Sequence, residues 1–350
     1  MKYYLKDSFL SNEYEKNAGN KARNDVEAIL VSEGYKRLEL KVENWYKMNF
    51  FKAQQHKYRA LKSVFDQLGS GDELLIQFPI IHHTFFISQL IKQAQNRGVK
   101  FYLVIHDIET LRHVGNSAVK LRHKVRNYFQ EKAALTSVDG IIVHNDLMKN
   151  ALTIQGIPSD KMVSLEIFDY LIPNFEEKSV PQKEEAIIIA GNLIPTKSGY
   201  LYNLPEQPAY NLYGMGYDES RALKNTTYFG SFMPDDLPNA LQGSFGLVWD
   251  GDSSETCQGS FGNYLRINNS HKASLYLASG FPLVVWKESA LAHFVLDKQC
   301  GIAIDSLHDL QKALDDLTDQ DYMELSANAR QVGAAIRSGE YLKSAISKLK

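Results

Sequence analysis

Cysteine is scarce in this 350-residue chain: Cys257 and Cys300 are the only two. They are too few for a disulfide framework and point to a reducing compartment. A strong charge of either sign is missing as well. The formal net charge is -2, which gives no global electrostatic case for nucleic acid or an anionic membrane, although a local basic patch stays open. No stretch nears the roughly 20 apolar residues of a membrane span. The opening MKYYLKDSFLSNEYEKN holds no apolar run of signal-peptide length. A cytoplasmic protein is expected, one that could still visit the inner face of the membrane. There is no internal repeat and no low-complexity tract. A dinucleotide fingerprint is missing too, because no third glycine follows Gly214-Met215-Gly216 at the required spacing, and this argues against a nicotinamide enzyme. His82, His83, His113, His123 and His144 show no convergent ligand spacing and read as structural or surface residues.

What is present is an alternation of short apolar runs and helical patterns. At 44% hydrophobic and 23% charged residues, the chain reads as globular. Its length suits two domains better than one core. Strands are expected at Tyr3–Leu5, Glu73–Phe78, Lys100–Ile105 and Gly140–Val143. Helices are expected from Lys21 to Ser32, from about Phe85 to Asn96, from a Ser117 cap to Leu135, and after Asn145. That rhythm implies a parallel sheet covered on both faces. Residues Leu171–Glu185 hold two prolines, are rich in charge and lack apolar period, so they read as a linker. The alternation then restarts with strands at Ala186–Ala190, Tyr210–Tyr213, Ser244–Trp249 and Pro282–Trp286, a helix at His271–Ser279, and a helical tail from about Asp319. The expected domains are therefore 1–170, a linker 171–185, a second domain 186–330, and a C-terminal helix 331–350 that could cross back to the first. Two such doubly wound domains would form a cleft at the C-terminal edges of their strands, where ligands of these sheets bind.

The richest segment runs from Phe245 to Trp286. A strand enters a polar, glycine-bearing loop, and Asn268-Asn269-Ser270-His271-Lys272 then opens a helix. A helix start offers free N–H groups and the positive end of a dipole, which suit phosphate, and Lys272 adds a full charge. Asn268, Asn269 and Ser270 could cap the helix or bind a ribose or phosphate oxygen; plain capping is the alternative. Asp250-Gly251-Asp252 in the preceding loop invites a Mg²⁺ reading, but the carboxylates could equally accept from sugar or ribose hydroxyls. Glu255-Thr256-Cys257 could do likewise. Cys257 has no histidine near it in sequence to make it a nucleophile. In the first half, Gly19 to Arg23 (GNKAR) is read as lying between the first strand and the first helix, where Lys21 and Arg23 could reach a diphosphate or simply be solvated. His106-Asp107 directly follows the strand KFYLVI, at its C-terminal edge.

These motifs, taken in order, resemble bacterial glycosyltransferases of the GT-B type. The segments FGLVWDGDS, ETC, FGNYL, NNSHK and SLYL are similar to the β-1,6-galactofuranosyltransferases of O-antigen and capsule assembly. A more distant resemblance is to the glucosyltransferase that extends sugar on serine-rich-repeat streptococcal adhesins. The likeness extends to Ala18–Asp25 (AGNKARND), Ile105-His106-Asp107, Ile167–Leu171 (IFDYL) and Gly191-Asn192-Leu193, and so spans nearly the whole chain.

The resemblance implies an α/β GT-B fold of two facing Rossmann-like domains with parallel sheets. It implies an inverting hexosyl transfer from a UDP-sugar, galactofuranose first and glucose second, to a glycan, glycolipid or glycoprotein. It gives the donor site as Ala18, Gly19, Arg23, Gly191, Asn192, Lys197, Tyr213, Asp250, Asp252, Asn268, Asn269, His271 and Lys272, with Lys197 near the diphosphate and Tyr213 beside the uracil, a core tyrosine being the alternative for Tyr213. GT-B enzymes usually neutralise the diphosphate with basic side chains and a helix end, so neither metal nor cofactor is expected. An inverting transfer needs a base for the acceptor hydroxyl, with Asp107 the first candidate and His106 the second. A homo-oligomer is expected, and no nucleic-acid partner. The reading from another class is a noncatalytic glycosyltransferase-like subunit.

Overall fold

The computed structural model describes residues 1–7, 18–42, 45–80, 84–112 and 121–349, with the backbone alone for 18–19 and 121–127. Contacts divide the chain into two compact units. The first comprises Met1–Asn12, Val26–Leu165 and Leu342–Lys350; the second comprises Glu13–Asp25 and Glu166–Tyr341. The segment read as a linker, Leu171–Glu185, thus falls within the second unit.

The first unit is built on a six-stranded parallel sheet of order β2-β1-β3-β4-β5-β6. Its strands are β1 (Lys2–Asp7), β2 (Lys36–Leu40), β3 (Glu73–Phe78), β4 (Lys100–Ile105), β5 (Gly140–Val143) and β6 (Met162–Ser164). The expected β3, β4 and β5 stand at the expected residues. They are the central strands, and burial on both faces gives them the unbroken apolar runs of ELLIQF, KFYLVI and GIIV. The helices are α1 (Ala18–Ser32), whose residues up to Asp25 belong to the second unit, α2 (Phe50–Phe65), α3 (Ile87–Gln95), α4 (Glu109–Arg112), α5 (Leu121–Ser137) and α6 (Asp146–Ile154). Asn145 caps α6 by accepting from Met148 N. The expected Ser117 cap, His82, His83 and His113 lie outside the described residues, as does the His123 side chain.

The second unit repeats the plan. Its sheet has the order β12-β11-β10-β7-β8-β9, again all parallel. The strands are β7 (Ile187–Asn192), β8 (Tyr210–Met215), β9 (Thr226–Tyr228), β10 (Gly246–Val248), β11 (Leu283–Trp286) and β12 (Gly301–Ile304). The helices are α7 (Pro195–Ser198), α8 (Leu237–Ala240), α9 (Gly259–Tyr264), α10 (His271–Ala278), α11 (Ala290–Asp297), α12 (Leu310–Asp315), α13 (Asp319–Ser338) and α14 (Glu340–Ser347), whose last residues belong to the first unit. The chain runs outward from β7 through β8 to β9, then reverses to β10 on the other side of β7. The gap between β7 and β10 is the topological switch point, the place where sheets of this kind open a crevice for ligands.

Helix α10 is seated at that gap by missing side chains. A Cβ on Gly246 of β10 would lie 2.2 Å from the Tyr276 ring, and one on Gly333 of α13 would lie 2.1 Å from the Leu277 carbonyl oxygen. The Tyr276 hydroxyl accepts from Ala190 N of β7 at 2.6 Å, and Arg337 donates to the Ala278 carbonyl at 2.6 Å. Helix α13 is anchored in turn by a capping box of Thr318 and Asp321 and ends at Gly339, whose φ of 77° suits glycine. Among the described residues no helix is long and apolar enough to cross a membrane.

Gly246→Ala should force Tyr276 off β10 and destabilise the second unit by about 3 kcal/mol, the upper range for overpacking. Denaturant unfolding followed by the fluorescence of the buried Trp249 and Trp286 checks this. An unchanged midpoint would mean that α10 does not depend on this close approach.

Candidate active site

Strand β7 ends in Gly191 and Asn192, and β10 ends just before Trp249 and Asp250, so the switch point places all four together. Backbone conformation explains the glycines. Gly191 has φ 129° and Gly214, its partner on β8, has φ 144°. A Cβ on Gly214 would lie 1.8 Å from the Gly191 oxygen, so no other residue fits. Asn192 folds the chain locally, its Oδ1 accepting from Ile194 N and its carbonyl from Ser198 Oγ. Gly251, with φ 119°, is stitched to the same turn: its N–H donates to the Lys197 carbonyl and its carbonyl accepts from Tyr200 N. The loops after β7 and β10 therefore form one backbone surface.

Lys272 reaches this surface from the first turn of α10. Its Nζ donates to the Trp249 carbonyl at 2.8 Å and to Asp250 Oδ1 at 2.9 Å. Both side chains are largely buried, and the lysine stem lies 3.7 Å from the position of a Gly191 Cβ. An ammonium has three donors, and two are engaged here. Asp250 also compensates its charge. The aspartate expected to touch a sugar or a metal is therefore bound first to the lysine. Asp252 Oδ1 accepts from Gln258, and the Lys197 ammonium lies over the Phe261 ring at 5.5 Å.

The start of α10 carries acceptors. Ser270 occupies the cap position, but its side chain makes no capping bond. Asn268 Oδ1 and His271 Nε2 are buried without a protein partner among the described residues. The His271 ring donates to the Asp169 carbonyl, so the bare Nε2 is an acceptor. Burial, with the nearby Lys21 charge, lowers the His271 pKa from 6.5 to about 4, so the ring is neutral. Two bare acceptors call for hydroxyl or N–H donors, and an ionised phosphate has none to give. Asn269 Nδ2 instead donates to the Glu166 carbonyl.

The motif IFDYL ties this helix start to α1. The Phe168 and Tyr170 rings lie 5.9 and 5.2 Å from the His271 ring. Lys21 Nζ bonds Asp25 Oδ1, Asp235 Oδ1 and the Leu171 carbonyl, all within 2.8 Å, and lies over Tyr170. Asp25 Oδ2 accepts from Leu171 N. The lysine weighed as a diphosphate contact is thus a buried structural cation. Ala18 and Gly19 form the first turn of α1, not a loop before it, and Arg23 is half-buried in the second turn.

In the first unit, His106 and Asp107 follow β4 as expected. Parallel register brings Gln77 of β3 alongside, and His106 Nε2 meets Gln77 Oε1 at 2.7 Å. Gln77 Nε2 points to Glu27 Oε1 at 3.5 Å, and Glu27 pairs with Lys6. Facing a carbonyl oxygen, Nε2 carries the hydrogen, so the nitrogen able to accept a proton is Nδ1. Asp107 is salt-bridged to Arg112 at 2.6 Å. His144 is buried just after β5, and burial lowers its pKa from 6.5 to about 4 against the opposing pull of hydrogen bonds to the carbonyls of Ile105 and His106.

Comparison with known proteins decides the family. Two models cover the chain: the glucosyltransferase 3-like N-terminal domain over residues 3–167 and the C-terminal domain over 187–349. The chain belongs to the glucosyltransferase 3-like family. Its curated relatives include the β-1,6-galactofuranosyltransferase WbbI of Escherichia coli strain K12, 34% identical over 81% of this chain and 80% of that protein. Glucosyltransferase 3 of Streptococcus gordonii is 23% identical over 92% of this chain and 91% of its own. Among solved structures, sucrose-phosphate synthase from Thermosynechococcus elongatus superposes with a TM-score of 0.65 at 12% identity, covering 98% and 96% of the two chains. The Anabaena protein HepE, in a complex with UDP and glucose, superposes at 0.58 and 12%, covering 98% and 99%. The fold is GT-B and this glucosyltransferase 3-like protein is a glycosyltransferase.

In this family member the residue expected beside the uracil faces the core. Tyr213 is fully buried, its ring stacked on Phe229 at 4.9 Å and its hydroxyl accepting from Gln242 N. It serves the core, with no face left for a base. Burial also pushes the Cys257 thiol up, away from nucleophilic use.

The buried imidazole gives a signed pH prediction. His271 binds its proton in the unfolded chain near pH 6.5 but in the folded one only near 4. Its contribution is therefore complete above 6.5 and is lost as pH falls toward 4. Asp25, raised to about 6 mainly by burial, works in the opposite sense below pH 6. Relative to wild type, His271→Asn should show its largest stability deficit above pH 6.5, shrinking toward pH 4. A deficit that stays constant across that range in denaturant titrations would contradict a neutral buried ring.

Proposed function

We propose that this glycosyltransferase moves galactofuranose, with inversion, from UDP-galactofuranose to a sugar hydroxyl of a glycan acceptor. The observation that carries the donor half is the convergence of Gly191, Asn192, Asp250 and Lys272 on the switch point of the second unit. Lys272 and the N–H groups opening α10 receive the diphosphate. Asn268 and His271 accept from ribose or sugar hydroxyls. The name of the 34% identical relative supports galactofuranose, and the UDP complex of HepE supports a uridine nucleotide.

In the transfer, the acceptor oxygen bonds the anomeric carbon as that carbon's bond to the diphosphate oxygen breaks. UDP leaves with the electron pair, and the acceptor proton passes to a base of the first unit. His106 now ranks ahead of Asp107. Its Nε2–H is oriented by Gln77 and its proton-accepting nitrogen is Nδ1, whereas the Asp107 carboxylate is held by Arg112. Neutralisation of the diphosphate by these groups requires no metal. The alternative, transfer of glucose from UDP-glucose to a glycoprotein, is supported by the family's name and the streptococcal relatives.

Lys272→Ala should lower turnover by roughly a hundredfold, the usual effect of losing one transition-state donor. Because it would also leave Asp250 buried and unpaired, Lys272→Ala/Asp250→Asn serves as the stability control. Normal turnover with intact UDP affinity would remove Lys272 from the site. Mass spectrometry of products from a panel of UDP-sugars and simple glycosides, with and without a chelator, tests donor and metal together. Release of UDP from UDP-glucose but not from UDP-galactofuranose would reverse the donor assignment. His106→Ala should abolish most transfer while leaving UDP binding intact, and Asp107→Asn should cost less. The reverse order would return the role to Asp107.

A further inference from the structure

Between Trp45 and Phe65 the sequence carries Lys47, Lys52, Lys57, Arg59 and Lys62 and no acidic residue. This stretch opens α2 of the first unit. The helix turns Ala53, Lys57, Leu61, Val64 and Phe65 toward the core. Its first turn and the segment before it turn aromatic rings outward: Tyr46 is 68% exposed, Phe50 55% and Phe51 83%. Phe85 and Phe86 join them, with Phe85 N donating to Gln54 and the Phe85 ring 5.7 Å from Phe50. Trp45 is pinned beside them by the Lys57 ammonium 3.9 Å over its ring. Lys47, Lys52 and Arg59 are exposed around the rings. Lys62 is instead paired with Asp66 at the far end of the helix.

We propose that this patch docks the protein on the surface of an anionic lipid bilayer. Three features fit that partner. Exposed Tyr and Phe rings match the boundary between headgroups and acyl chains. The surrounding lysines meet anionic headgroups, each worth about 1 kcal/mol near such a surface. The start of α2, where Phe50 and Phe51 stand, adds the positive end of a helix dipole.

Two other partners fit less well. A sugar ring needs a flat aromatic face, but here the neighbouring rings stand edge to face, with interplanar angles of 80° for Phe50–Phe51 and 70° for Phe50–Phe85. A second copy across a two-fold axis would bring the exposed Lys47, Lys52 and Arg59 of this patch against their own copies. The overall charge of -2 hides the patch because acids elsewhere cancel it. The inference does not depend on which sugar is transferred.

The test is flotation of the full chain with vesicles of phosphatidylcholine alone and of phosphatidylcholine mixed with phosphatidylglycerol. The chain should rise with the mixed vesicles, far less with the neutral ones, and less again as salt is raised. Tyr46→Ser/Phe51→Ser should weaken the partition by at least roughly tenfold, from the apolar area lost. Lys47→Glu/Lys52→Glu should weaken it as much through charge. Thermal midpoints confirm that each variant is folded, and if one is not, the other decides. Failure of the wild type to bind mixed vesicles overturns the proposal, as does binding indifferent to the folded variants. Sedimentation velocity adds a separate outcome: an oligomer dissociated by Tyr46→Ser/Phe51→Ser, in a chain that ignores vesicles, would assign the patch to a second copy instead.

Discussion

The contact between Lys272 and Asp250 is the interaction on which the second unit's site depends. A largely buried ammonium needs a compensating charge and hydrogen-bond acceptors, and here it finds Asp250 and the Trp249 carbonyl at the end of β10. The lysine can reach them only because α10 lies flat on the sheet. That approach requires glycine at Gly246 and at Gly333, and the tight pairing of β7 and β8 requires it again at Gly214. The positions without side chains therefore do as much to build the site as the residues that would touch a ligand.

Three motifs far apart in sequence meet around the same helix start. AGNKARND supplies Lys21 and Asp25, IFDYL supplies Phe168, Asp169 and Tyr170, and NNSHK supplies His271 and Lys272. AGNKARND and NNSHK each read alone as a helix start. Their junction is a nearly dry polar cluster in which Lys21 is consumed by structural bonds and His271 is kept neutral.

Much of the fold was legible in the sequence. The strands read most sharply, β3, β4, β5, β7 and β11, lie inside their sheets, where burial on both faces leaves apolar runs. The strands not recognised were β2, β6, β9 and β12, and these are the four sheet edges. An edge strand is covered less and shows a mixed pattern, as in KRLEL and TTY. Helix α2 was missed because its lysines and glutamines dilute a buried stripe of only five residues. The nearness of Lys272 to the Gly191 turn follows from a strand end, a glycine and a helix start recurring in order. The role of Tyr213 was not legible, since an aromatic at a strand end reads the same whether it faces a ligand or the core. Neither was the Gln77–His106 contact, which exists only through the register of two parallel strands.

Compensation of Lys272 by Asp250 bears on how such a site would work. Before a diphosphate arrives, the lysine brings little net charge to the switch point. The N–H groups that open α10 add a positive potential that does not titrate and cannot turn away. On the proposed reading, the donor is therefore captured first by a helix end. Lys272 then shares its third proton with the oxygen on which charge builds as the glycosidic bond breaks. A lysine already held by two fixed acceptors needs little reorganisation to do so. That preorganisation, more than the size of its charge, is what the buried aspartate contributes.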